Sequence, residues 1–85
     1  MMNDLIFRIY TEDCDNIPDI VKVYFTAFTI IKTAGYWNGK PEDSVIVEII
    51  GNHFTEKAVR WAARDIKRIN KQEAVLVKLW DRVFA

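Results

Sequence analysis

A single cysteine, Cys14, rules out an intrachain disulfide framework and a thiolate-rich zinc site. A lone thiol suits a reducing compartment, so a cytoplasmic location is expected. Glycine is almost as scarce: three residues are too few for a glycine-rich phosphate loop or a dinucleotide-binding fingerprint. Charge of neither sign is in excess. Twelve Lys and Arg balance twelve Asp and Glu, and a net charge of zero gives no long-range attraction to nucleic acid or to an anionic membrane. Apolar runs stop after a few residues, well short of the roughly 20 that cross a bilayer, so no membrane span is expected. Met1-Met2-Asn3-Asp4 lacks the basic and apolar regions of an export signal, and no export is expected.

Apolar side chains, by contrast, are abundant. They make up 51% of the 85 residues, with three Trp, three Tyr and five Phe, more than one small core hides. The length sets one domain over residues 1–85 as the expectation. Leu5 to Thr11 alternates, with Leu5, Phe7 and Ile9 on one side and Ile6, Arg8 and Tyr10 on the other, the period of a strand. Asn16, Pro18 and Asp19 supply the cap, early proline and first-turn acid of a short helix that is expected to end near residues 25–27. Phe28 to Asn38 and Ser44 to Ile50 read as a hairpin joined by the turn chemistry of Asn38-Gly39-Lys40-Pro41. Thr55 is the expected cap of a longer helix that buries Ala58, Val59, Ala62, Ile66 and Ile69 and ends by Asn70. Ala74 to Trp80 is the expected last strand, with residues 81–85 as a tail.

This order is that of the ferredoxin-like fold βαββαβ: α+β, a four-stranded antiparallel sheet with two helices on one face. Alternation puts Leu5, Phe7, Ile9, Val45, Val47, Ile49, Val75, Val77 and Leu79 under the helices. It leaves Ile6, Tyr10, Ile46, Ile50, Leu76 and Trp80 on the open face, among Arg8, Glu48 and Lys78. A large uncovered apolar face is rare in a monomer, so a homo-oligomer is expected, with a trimer as first choice.

Phe28 to Val77 contains a hairpin arm, Gly35-Tyr36-Trp37-Asn38-Gly39-Lys40, then Glu42 and Ser44 opening one strand and Asn70-Lys71-Gln72-Glu73-Ala74-Val75-Leu76 opening the last. The segment resembles short uncharacterised proteins of bacteria and their phages. Its W-x-G-K hairpin with an acidic strand start is also similar to the CutA-like divalent-tolerance proteins and the PII-like signalling superfamily. That resemblance implies trimers of ferredoxin-like subunits packed through their open sheet faces and, for PII-like members, nucleotides bound in clefts between subunits. No motif matches residue by residue, so no residue role is carried over.

The residues themselves offer few chemistries. Ser44, Cys14 and His53 are single representatives of their kinds, set in three different loops or turns, and loop residues are the expectation rather than a nucleophile–histidine pair. Glu12, Asp13 and Asp15 lack cation-loop spacing and are expected to serve the start of the first helix. Arg60, Arg64, Lys67 and Lys71 share one side of the second helix, with Arg68 alongside: a solvated face, or a site for an anion. Tyr36 and Trp37 stand beside a tight turn, where an aromatic ring packs on a neighbour or stacks on a base. The expected ligand site is therefore Tyr36 and Trp37 with Arg60 and Arg64, drawn from the same or an adjacent subunit. The expected function is non-enzymatic: an oligomer that senses or sequesters a small anionic, nucleotide-type molecule, with no catalytic residue, metal or cofactor. The alternative is an interaction module, of phage origin, that inhibits or regulates a host protein.

Overall fold

The computed structural model describes residues 5–72 and 75–81, and for residues 80 and 81 the backbone alone. The elements follow as β1 (Leu5–Glu12), α1 (Ile17–Val21), β2 (Thr29–Trp37), β3 (Lys40–Gly51), α2 (Glu56–Ile69) and β4 (Leu76–Asp81). The strands form one antiparallel sheet of order β2-β3-β1-β4. This is the ferredoxin-like arrangement that the element order implies.

The buried core lies between one sheet face and the helices. Phe7, Ile9, Val45, Val47 and Ile49 come from the sheet, Ile17, Ile20 and Val21 from α1, and Val59, Ala62, Ala63 and Ile66 from α2. Each of the larger side chains, removed from water, contributes about 1.5–3 kcal/mol of transfer free energy. Val77 and Val75 pack against this core from the β4 side. Leu79 stays 45% exposed, and Ile69, expected inside, is 47% exposed. Ile69 is the last residue of α2, and Leu79 lies on the edge strand β4. Ala63, rather than Ala58, completes the buried stripe of α2.

Several local expectations are corrected. α1 is a single short turn ending at Val21, and Asn16 makes no side-chain cap bond. Pro18 stands two residues into the helix, where an N–H would be the cap's partner, and proline has none. Thr55 does not cap α2 through its hydroxyl either; its Oγ1 accepts the Asn52 N–H at 3.0 Å and folds back over the loop. Gly51 permits this, because a Cβ there would lie 2.2 Å from Thr55 Oγ1.

The hairpin turn is only Asn38 and Gly39, both with positive φ (51° and 75°), the geometry of a type I′ turn, and Trp37 pairs directly with Lys40. Lys40, Pro41, Glu42 and Asp43 therefore belong to β3 and not to the turn. Pro41 is tolerated because β1 pairs with β3 only from Ser44 onward, which leaves this stretch with a neighbour on one side. Ala74, the expected start of the last strand, and residues 82–85 of the expected tail lie outside the described residues. Asp81, expected in the tail, is the last residue of β4.

The register builds continuous rows across the open face. Leu76, Tyr10, Ile46 and Ile31 are successive partners on β4, β1, β3 and β2, and Lys78, Arg8, Glu48 and Thr29 form the next row. In the second row Arg8 gives both its Nε (2.8 Å) and an Nη (2.7 Å) to one oxygen of Glu48.

Candidate functional site

Because the β2–β3 hairpin runs beyond the end of β1, it forms an arm whose open side is not covered by a third strand among the described residues. A cleft of about 540 Å³ lies there. The end of β1 contributes Tyr10 and Glu12; the arm contributes Gly35, Tyr36, Trp37, Glu42 and Ser44; and the segment leaving α2 contributes Lys71 and Gln72. Tyr36 and Trp37 are 74% and 51% exposed, so both rings are open to a partner. Gly35 pairs with Glu42, and a Cβ on it would come within 2.6 Å of Ser44 Oγ; the absent side chain leaves room for that hydroxyl.

The α2 end of the cleft is built by a glycine-type helix ending without a glycine. Lys71 takes a positive φ of 53°, its N–H bonds to Arg68 O at 3.4 Å, and the Gln72 N–H bonds to Lys67 O at 3.0 Å. These are the paired bonds of a Schellman ending. Gln72 is buried; its Oε1 accepts the Thr11 hydroxyl at 2.9 Å and the Glu12 N–H at 3.2 Å. The chain that follows α2 is thereby tied to the end of β1. Among the described residues, the charged residues that line the cleft are Glu12, Glu42 and Lys71.

The four expected site residues are split. Tyr36 and Trp37 line the cleft; Arg60 and Arg64 do not. Both arginines are exposed on α2, Arg60 bound to Glu56 at 2.9 Å and Arg64 within 3.5 Å of Asp65. Arg68 also reaches Asp65 at 3.5 Å, so most of the basic stripe is engaged along its own helix. Pairs this exposed contribute little to stability.

Asp65 has a further partner, the Tyr24 hydroxyl, which donates to Oδ2 and links the α1 side to α2. That bond holds the Asp65 carboxyl below its usual range, with Arg64 and Arg68 helping, and pushes the Tyr24 phenol up. Trp61 packs beside Tyr24 with ring centroids 6.4 Å apart and under Lys57 Nζ at 5.2 Å, outside the cleft.

Of the three single residues, Ser44 lines the cleft and Cys14 and His53 do not. Burial raises the Cys14 thiol, with Glu12, Asp13 and Asp15 adding to the shift. Asp13 receives Lys32 Nζ at 2.8 Å. Sequence reasoning did not assign Glu12, Glu42, Lys71 or Gln72 to one site. The signal for Glu42 was present in the two-residue Asn38-Gly39 turn, which fixes the register and sets Glu42 opposite Gly35.

No family profile and no curated protein sequence matches the chain. Solved structures do share its fold. A phage SAM lyase in its apo state superposes with a TM-score of 0.71 at 19% identity, covering 93% of this chain and 81% of its own. A DUF3240 family protein from Shewanella baltica OS155 gives 0.67 at 11% identity, covering 100% and 94%. CPII, a nitrogen regulatory PII-like protein from Thiomonas intermedia K12 bound to ADP, AMP and bicarbonate, gives 0.65 at 12%, covering 94% and 90%. The chain thus has the ferredoxin-like fold of PII-like proteins.

The expectation that the chain is not an enzyme is corrected by the first of these likenesses, because an enzyme is built on this fold. The expectation rested on residues for acid–base or covalent chemistry being too few and too scattered, with no nucleophile–histidine pair among them. A lyase breaks its bond by elimination and requires no such pair, so that shortage does not exclude catalysis.

Proposed function

We propose that the chain binds a small adenosine-bearing molecule in the cleft on the hairpin arm, with the zwitterionic chemistry of S-adenosylmethionine preferred to that of a nucleotide. The observation that carries this reading is the meeting of Tyr36 and Trp37 with Glu12, Glu42 and Lys71 in one cleft. Its volume falls in the ordinary range for small-molecule sites, roughly 300–1,000 Å³. Aromatic faces accept an adenine ring, and carboxylates accept ribose hydroxyls. Among the described residues the cleft is lined by two acids and one lysine, which favours a ligand that carries positive charge of its own, as a purely anionic nucleotide does not. The fold shared with a SAM lyase and with an ADP- and AMP-bound PII-like protein supports the same class of ligand.

Calorimetry with S-adenosylmethionine, AMP and ADP tests it, with mass spectrometry of the S-adenosylmethionine sample to detect turnover. Binding that weakens by about 1.5–3 kcal/mol in Glu42→Gln, the scale of a hydrogen bond to a charged group, and that also weakens in Trp37→Ala is the expected result. Absence of binding by all three at millimolar concentration removes the reading. Arg60 and Arg64 enter such a site only from a second copy, and unchanged affinity in Arg60→Ala would exclude them.

We further propose that the open sheet face is covered by other copies of the chain, as a trimer. The Leu76–Tyr10–Ile46–Ile31 row supports this, and so does the Arg8–Glu48 pair. An ion pair already closed within the subunit enters an interface without an unpaired charge. Retention of a host protein by a monomeric chain would transfer the face to that partner.

A further inference from the structure

We infer that Lys71 anchors the anionic end of the cleft's ligand and that the chain keeps a disfavoured residue type at a helix ending for this purpose; the inference rests on the cleft reading above. The position has a φ of 53°, a region in which a residue with a Cβ is disfavoured and glycine is the common occupant of a helix ending. The two backbone bonds that close α2, to Arg68 O and Lys67 O, are made by main-chain N–H groups and would form with glycine there. Stability of the helix end therefore does not account for a lysine.

What the lysine adds is its ammonium. Its side chain is exposed, lines the cleft, and forms no ion pair among the described residues. Its root is fixed, since the next residue, Gln72, is buried and bonded to Thr11 and to the Glu12 backbone. A cation on a held backbone, at a residue type that the conformation disfavours, in a cleft that Tyr36 also lines, is the pattern of strain kept for a site. The group it suits is an oxyanion: the carboxylate of an aminoacyl chain or the phosphate of a nucleotide.

The test uses the full chain as wild type, Lys71→Gly and Lys71→Met, titrated by calorimetry with S-adenosylmethionine, AMP and adenosine. Adenosine has the base and sugar but no oxyanion. Both variants are expected to lose about 10–100-fold in affinity for the preferred anionic probe while adenosine binding stays within about twofold. Lys71→Gly is also expected to melt higher, by ~4 °C, with no such gain in Lys71→Met. Wild type preferring S-adenosylmethionine makes the group held a carboxylate; preferring AMP makes it a phosphate. Wild-type affinity for the anionic probe in Lys71→Met overturns the inference alone, as does an equal loss for adenosine, which would mean a deformed cleft. A wild type that binds none of the three removes the cleft reading and this inference with it.

Discussion

At the scale of single residues, the Tyr24–Asp65 bond carries a pH dependence of definite sign. Asp65 sits below its ordinary value of 3.8, so its contribution is present above that value and is lost as pH falls through the lower folded value. Tyr24 sits above its ordinary value of 10.0, so its contribution is present below it and is lost as the phenol ionises at higher pH. Tyr24→Phe should therefore lower the unfolding midpoint by a constant amount from about pH 5 to pH 9, and the gap from wild type should shrink below about pH 4. Urea titrations across that range check it; a gap that persists at pH 2 would show that the hydroxyl stabilises the fold without the ionised Asp65 carboxylate. Gly35 makes a second residue-scale case. Gly35→Ala sets its new methyl against Ser44 Oγ, which must rotate aside, and should cost at most about 1 kcal/mol. Gly35→Ala with Ser44→Ala should recover most of that loss in the same melt, whereas no recovery would place the strain in the backbone instead.

Among the elements, the β2–β3 hairpin determines the shape of the cleft, and its turn is its most sensitive point. Gly39→Ala sets a Cβ at a φ of 75° and should destabilise by about 1 kcal/mol, seen as a shift in the denaturant midpoint with the slope unchanged. An unshifted midpoint would mean the turn does not constrain the fold. The hairpin also shows where sequence reading succeeds and where it stops. Period-two alternation in Leu5 to Thr11 and Ser44 to Ile50 located the core face of β1 and β3, because a buried sheet face imposes its pattern on consecutive residues. The four-residue turn reading failed because Lys40 and Pro41 have turn composition but occupy an unflanked strand end, where pairing on one side overrides propensity. Tyr36 and Trp37, exposed aromatics beside a turn, both line the cleft and were legible from the sequence as candidates. Glu12, Glu42 and Lys71 were not. They converge only through cross-strand register and a left-handed residue after α2, neither of which leaves a local mark in the chain. The basic stripe of Arg60 and Arg64 was legible from like charge at helical spacing, and within the subunit it lies beside Glu56 and Asp65 and away from the cleft.

For the whole molecule, the open sheet face is the dominant surface. Ile50 and Leu76 are each about half exposed, and the Tyr10 ring lies 5.9 Å from Lys78 Nζ, a contact that softens the face without covering it. If copies of the chain pack through it, Ile46→Lys sets an ammonium in the middle of the apolar row and should dissociate the assembly. Light scattering at micromolar concentration reads this directly: a trimer mass falling to the monomer is the expected change, and a wild type already monomeric would refute the packing.

The position of β1 between β3 and β4 also governs how the fold is reached. β2 and β3 are neighbours in the chain as well as in the sheet, and a hairpin with this turn closes on the order of microseconds. β1 leaves the ribosome before either of its partners and must wait for both, and until β4 arrives one of its edges stays open. Of the two inner strands, β1 is thus the last to be secured on both sides, and during synthesis its Phe7 and Ile9 stay uncovered until the later elements arrive.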